Sequence, residues 1–263
     1  MLKFRKNSPS WLQAQPALRE WYESSLGDAV LDAVTSKFDD ILPGIFGYQG
    51  VQVGQIAPHR ELLASAGLHR RIVVDSAAEI SNSQISGTLE QLPISSNCVN
   101  LVFFPHSLEF CDSPHMALRE ADRVLTADGH LLLMGFNPYS QFGIRRAVGR
   151  SIPWSGKTYS RARVQDWLSV LGFRMVATET VFLRPPVNRT RMLNSTRHIE
   201  KAQKFLGFAG GIYLIHARKQ TVPGTMARQW LKPRGRLVHG AFARHASRVA
   251  ARVQHENQPD KKD

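Results

Sequence analysis

The chain has 263 residues, 43% of them hydrophobic, and a formal net charge of +13, which is enough to bury the core of one medium α/β domain with extensions. No stretch approaches the ~18 uninterrupted apolar residues of a membrane-spanning helix, and Met1-Leu2-Lys3-Phe4-Arg5-Lys6 lacks the apolar block of a secretory signal; a transmembrane segment is not expected and a cytoplasmic location is. Cys98 and Cys111 are the two cysteines, with no CxxC or Cys/His spacing, so they read as reduced structural thiols and neither a metal site nor a disulfide is expected.

The opening reads as two helices. Trp11, Leu12, Leu18, Trp21, Tyr22 and Leu26 recur at roughly helical intervals with Gly27 as a stop, and a second amphipathic run covers Asp28 to Phe38. Residues 1–46 are thus expected to form a helical lid or brace, with Trp11 and Trp21 packed on the core. From Gly50 short apolar runs alternate with helical segments, the pattern of parallel strands covered by helices on both faces. Val51 to Val53 is the first strand, a helix follows through Glu61-Leu62-Leu63, and Arg71 to Asp75 is a second strand that ends in an acid. Val99 to Phe104 is another strand, and His115 to Leu125 is a helix that offers Met116, Leu118, Ala121 and Leu125 to a buried face. Gly129 turns the chain into the strand His130 to Gly135. A Gly/Pro-containing connection, Asn137 to Gly143, precedes the basic residues Arg145, Arg146 and Arg150; connections of that length inside a domain are more often functional than idle. The helix Arg161 to Leu171 is stopped by Gly172, and Phe173 to Thr178 and Gly211 to Arg218 supply the last strands. An inserted loop and a basic helix lie between them, over 185–206.

One stretch carries a specific pattern. Leu92-Pro93-Ile94 leads to the strand from Val99, and Asp112 then opens the run Ala117-Leu118-Arg119-Glu120-Ala121-Asp122-Arg123-Val124-Leu125, which continues to Gly129-His130-Leu131. In this order the chain resembles the class I S-adenosylmethionine (AdoMet)-dependent methyltransferases, specifically the methyltransferase type 11 group, from about Gly47 to Arg218. Tyr159 to Phe173 looks like the family's helix before the penultimate strand. The resemblance implies a doubly wound, Rossmann-like α/β fold with a mostly parallel seven-stranded sheet and helices on both faces. It places the methyltransferase domain at 47–218 and leaves 219–263 as a tail. Physical reasons stand beside it, since Arg119, Glu120 and Arg123 have a spacing that permits ion pairing while Leu118, Ala121, Val124 and Leu125 can meet the sheet.

The family binds AdoMet outside the carboxyl ends of the first strands, where a glycine-containing turn lets backbone approach the cofactor. Gly54 matches the first glycine of that turn, whereas Gln52 stands at its usual acid, and Ile56 and Pro58 stand at its next glycines. Neither Ile nor Pro supplies the close approach or positive φ of glycine. The resemblance assigns Asp75 to the ribose hydroxyls, a task suited to a carboxylate, with a helix N-cap or turn role as the structural alternative. It assigns Thr88 to the adenine amino group and Leu89 to the adenine ring through its N–H and side chain, and it lays Pro105-His106-Ser107-Leu108-Glu109 beside the methionine part.

A sulfonium is already a strong methyl donor, so the protein needs mainly to align a nucleophile and exclude water. His106 is the candidate general base, because an imidazole titrates near neutral pH; Glu109 and Tyr139 are the alternatives. Methyl transfer to a small-molecule or lipid-like acceptor is the expected function. A non-catalytic binding or regulatory module is the competing reading, favoured by Gln52, Ile56, Pro58 and Thr88. After Ala217 the sequence is basic and nearly free of acids until Glu256, and Arg244, Arg248 and Arg252 recur every four residues; this tail suits nucleic acid or an anionic membrane surface.

Overall fold

Seven strands form one sheet in the order β3-β2-β1-β4-β5-β7-β6. They are β1 (Phe46–Val53), β2 (Gly67–Asp75), β3 (Ile85–Ser86), β4 (Val99–Pro105), β5 (Leu125–Phe136), β6 (Phe173–Val181) and β7 (Ile212–Lys219). In this computed structural model residues 9–75, 85–149, 152–186 and 209–220 are described. β1 to β5 pair in parallel, while β7 runs antiparallel to both β5 and β6, so the mostly parallel seven-stranded sheet is present. In β4, Val99, Leu101, Val102, Phe103 and Phe104 are all at most 1% exposed. Burial of consecutive residues from Leu101 to Phe104 is why the strand reads as an apolar run rather than as an alternation.

The helices are α1 (Trp11–Glu23), α2 (Ser25–Ile41), the single turn α3 (Ser107–Phe110), α4 (Pro114–Val124), α5 (Gln141–Val148) and α6 (Arg161–Val170). Leu18, Tyr22, Val30, Leu31, Val34 and Phe38 of α1 and α2 belong to the same core cluster as the central strands. α4 buries Ala117, Leu118, Ala121 and Val124, whereas Met116 is 44% exposed. On its other face Arg123 binds Glu120 and both pin the incoming loop, Glu120 accepting from Leu92 N–H and Arg123 donating to the carbonyls of Leu92 and Ile94. The hydrogen bond from Arg123 holds the Glu120 carboxyl below its ordinary range.

Four expectations are corrected. α1 ends at Ser24, whose Oγ accepts from Gly27 N–H and caps α2; Gly27 lies inside α2, pressed so closely on α1 that a Cβ would meet Trp21 O at 2.2 Å. No helix forms around Glu61-Leu62-Leu63. Only 54–66 separate β1 from β2, and that segment closes in single turns (Arg60 N–H to Ala57 O, Ala64 N–H to Glu61 O), Pro58 having no N–H to give. No loop separates α4 from β5, and the left-handed residue is Asp128 at φ 62°, within β5, rather than Gly129, since Asp tolerates that region. The connection from Asn137 is shorter than expected, because Ser140 accepts from Phe142 N–H and starts α5. β3 escapes sequence reading at two residues long. The basic helix within 185–206 and the tail beyond Gln220 lie outside the described residues, apart from Pro185, Pro186, Lys219 and Gln220.

Candidate active site

The strand order reverses between β1 and β4, and in open α/β sheets ligands bind at that reversal, beyond the carboxyl ends of the strands. Three expected residues meet there. Gly54 follows β1 at φ 96° and donates its N–H to Val74 O, a conformation that glycine adopts at no steric cost. Asp75 ends β2 and is 1% exposed; His106 follows β4 and is fully buried. Ser107 Oγ donates to Val53 O at 2.9 Å and ties the two loops together. In the altered part of the glycine turn, Gln52 donates its amide to Gly54 O, and Ile56 is buried in the core instead of approaching a ligand. Gln55 Oε1 is buried with no hydrogen-bond partner among the described residues.

His106 has a left-handed backbone, φ 56° and ψ 8°, uncommon for a residue with a Cβ and a mark of a constrained position. Its ring stacks on Phe136, centroids 4.1 Å apart. Nδ1 lies 2.9 Å from Glu109 Oε2 and Nε2 lies 2.6 Å from the Tyr22 hydroxyl. Glu109 accepts at its other oxygen from Phe136 N–H at 2.8 Å, with Arg146 Nη1 at 3.6 Å. Both carboxylate oxygens face donors, which assigns the ring proton to Nδ1 and leaves Nε2 to accept from Tyr22. Burial, and then the charge of Glu109, push the Tyr22 phenol well above its ordinary range, so it stays a donor. Trp21, Phe136, Phe142 and Trp154 form an aromatic wall around this chain, in mutual contact at 5.6–6.1 Å.

The remaining candidates separate. Leu89 is buried, whereas Thr88 is exposed and forms an isolated bridge with Gln91; Gly87, one residue earlier, donates its N–H to Asp75 O. Tyr139 is 77% exposed and takes no part in the histidine chain, while Glu109 is central to it.

Sequence reasoning missed Gln15, Arg19, Tyr22 and Arg146. Gln15 Nε2 and Arg19 Nη2 both donate to Asp75 Oδ2, each at 2.6 Å, and Arg19 Nε donates to Gln55 O. Trp11 lies so close to Gly54 that a Cβ there would meet Trp11 Cζ2 at 2.0 Å. The signal was available, because Gln15 and Arg19 fall on the same helical stripe as Trp11 and Tyr22, and a polar side chain on a buried stripe needs a partner.

Residues 52–133 match the family model described as methyltransferase domain. The chain has the fold of the class I, AdoMet-dependent methyltransferases, and this stretch is similar to their methyltransferase domain. It is 29% identical over 228 residues to YafS of Escherichia coli strain K12, spanning 84% of this chain and 90% of YafS. A solved AdoMet-dependent methyltransferase from Thermotoga maritima superposes with a TM-score of 0.57 at 15% identity, covering 78% of this chain and 95% of that one. The [4+2]-cyclase SpnF superposes with a TM-score of 0.55 at 15% identity, covering 82% and 98%. At such identities these structures share the fold. No helix among the described residues is long and apolar enough to cross a membrane, and no group of three or more His, Cys, Asp or Glu among them could hold a metal ion.

Proposed function

We propose that this methyltransferase domain transfers a methyl group from AdoMet to a hydroxyl of a small, flat or lipid-like acceptor in the cytoplasm. The observation that carries the reading is His106, an imidazole fixed by Glu109 so that Nε2 already accepts from a hydroxyl, at the end of the strand next to Gly54 and Asp75. Gly54, Asp75 and Leu89 would hold the donor, Asp75 through paired hydroxyls, and Thr88 lies on the same loop as Leu89. The unpartnered Gln55 Oε1 gives the turn after Gly54 a polar atom suited to a ligand. When bound, AdoMet supplies an electrophilic methyl. The protein's own part is to hold the acceptor against the aromatic wall, exclude water and take the hydroxyl proton at His106 Nε2, while Glu109 stabilises the resulting imidazolium.

The test is calorimetric titration with S-adenosylhomocysteine (SAH), beside Asp75→Ala. Binding by the wild type that is lost in the variant supports the reading; no binding at millimolar ligand, by the wild type or by variants that remove the α1 side chains from Asp75 and Gly54, removes it. A second reading, a non-catalytic module, is favoured by the side chains of α1 that already stand on Asp75 and Gly54, together with Gln52, Ile56 and Pro58. The basic residues beyond Lys219 are proposed to contact nucleic acid or an anionic membrane surface.

A further inference from the structure

Four side chains of α1, Trp11, Gln15, Arg19 and Tyr22, are spaced by four, four and three residues and therefore share one face of the helix. In that order they meet the crevice: Trp11 covers Gly54, Gln15 and Arg19 hold Asp75, and Tyr22 reaches His106. A ligand that binds through the Asp75 carboxylate and lies along Gly54 needs the space and the hydrogen bonds these side chains now take. The residues of the domain and the docked helix thus do not fit the donor together.

The helix is built to leave. Pro16 lacks the N–H that would bond to Leu12 O, so α1 is weaker by itself than its length suggests. It joins α2 through the single extended residue Ser24, φ −70° and ψ 156°, while α2 has its own N-cap and its own buried face. Rotation at Ser24 would separate α1 from the crevice at the cost of its contact with α2, where Gly27 lies against Trp21 O.

We propose that α1 is a retractable plug, which occupies the donor and acceptor positions of the crevice when docked and admits ligand when it swings away about Ser24. The inference rests on the donor-site reading above. Ligand affinity is then reduced by the fraction of molecules in which α1 is away, and anything that loosens α1 strengthens binding.

The experiment is SAH titration of the wild type, Gln15→Ala/Arg19→Ala and Trp11→Ala, with thermal melts to confirm folding. Tenfold or tighter binding than the wild type is expected in both variants, and Trp11→Ala carries the test alone should the double variant not fold. Asp75→Ala breaks the same α1 contacts yet loses binding, so the opposite signs separate the ligand's anchor from the plug's. Trypsin gives the second readout: saturating SAH should speed cleavage of the wild type after Arg19, where a ligand that merely tightens the fold would slow it. Wild-type binding with unchanged or weaker binding in the variants, or protection of Arg19, overturns the plug and leaves the donor site standing. Absence of binding in every variant overturns both.

Discussion

Glu109 ties the loop after β4 to the end of β5 by accepting two hydrogen bonds inside the protein, from Phe136 N–H and from His106 Nδ1–H. A glutamine has one acceptor oxygen and must turn an amide N–H toward one of these donors. Glu109→Gln should therefore cost about 2 kcal/mol of stability, the scale of a buried charged hydrogen bond left unmade, read as a lower urea midpoint with unchanged slope. An unaltered midpoint would show that the carboxylate is not holding the loop. At the same scale, the two cysteines differ in environment. Cys111 is 2% exposed and its thiol is pushed up to about 12, mainly by burial and then by Glu90, so almost none of it is thiolate near neutral pH. Cys98 is only partly buried. Iodoacetamide at pH 8 should label Cys98 in the native protein and reach Cys111 only after denaturation, which peptide mass spectrometry distinguishes.

Elements differ in how much of them the sequence discloses. α4 and β4 were legible because each meets its environment with one period: α4 buries every third or fourth residue and β4 buries every residue but Asn100. Asp75, Gly54 and His106 were legible as strand-end positions of a doubly wound sheet. What could not be read is where a nonlocal partner settles the conformation. The 54–66 segment has helix-compatible residues but only a short span between two paired strands, and the contacts of α1 with Asp75 and His106 join residues 60 and 84 apart. The β5–β7 pair supplies a prediction of its own. His130 Nδ1 and His216 Nε2 are 2.8 Å apart across these strands, with Arg218 and Asp128 beside His130. Burial, then the neighbouring His130, lowers His216 to about 4, and burial followed by Arg218 lowers His130. The unfolded chain takes up protons below its ordinary histidine pKa of ~6.5 that the native sheet refuses, so stability present above that pH is lost as pH falls toward 4. The loss should be roughly 2 kcal/mol after allowance for partial exposure. Melting temperatures between pH 7 and 4.5 should drop less steeply in His216→Leu than in the wild type; parallel curves would clear the pair of any part in acid sensitivity.

At the scale of the whole molecule, basic charge is concentrated toward one end of the sequence. Residues 1–221 form one compact unit, and the sequence that follows, 222–263, holds nine Lys or Arg against three Asp or Glu. The chemistry proposed for the crevice is carried by side chains within 1–221, so the effect of the charge beyond them should be on association and not on the fold. Binding to a polyanion through such a segment releases counterions, and affinity then falls steeply with salt in proportion to the charges engaged. Comparison of the full chain with a chain ending at Thr221, on RNA, duplex DNA and anionic vesicles at two salt concentrations, measures that slope directly. The full chain should bind at least one of them with an affinity that drops several-fold between the two salts. The shortened chain should lose that binding while keeping the melting transition and the SAH affinity of the compact unit. If both chains bind alike, the anionic partner is held by the methyltransferase domain itself, and Arg70, Arg119 and Arg174 on its surface become the residues to replace.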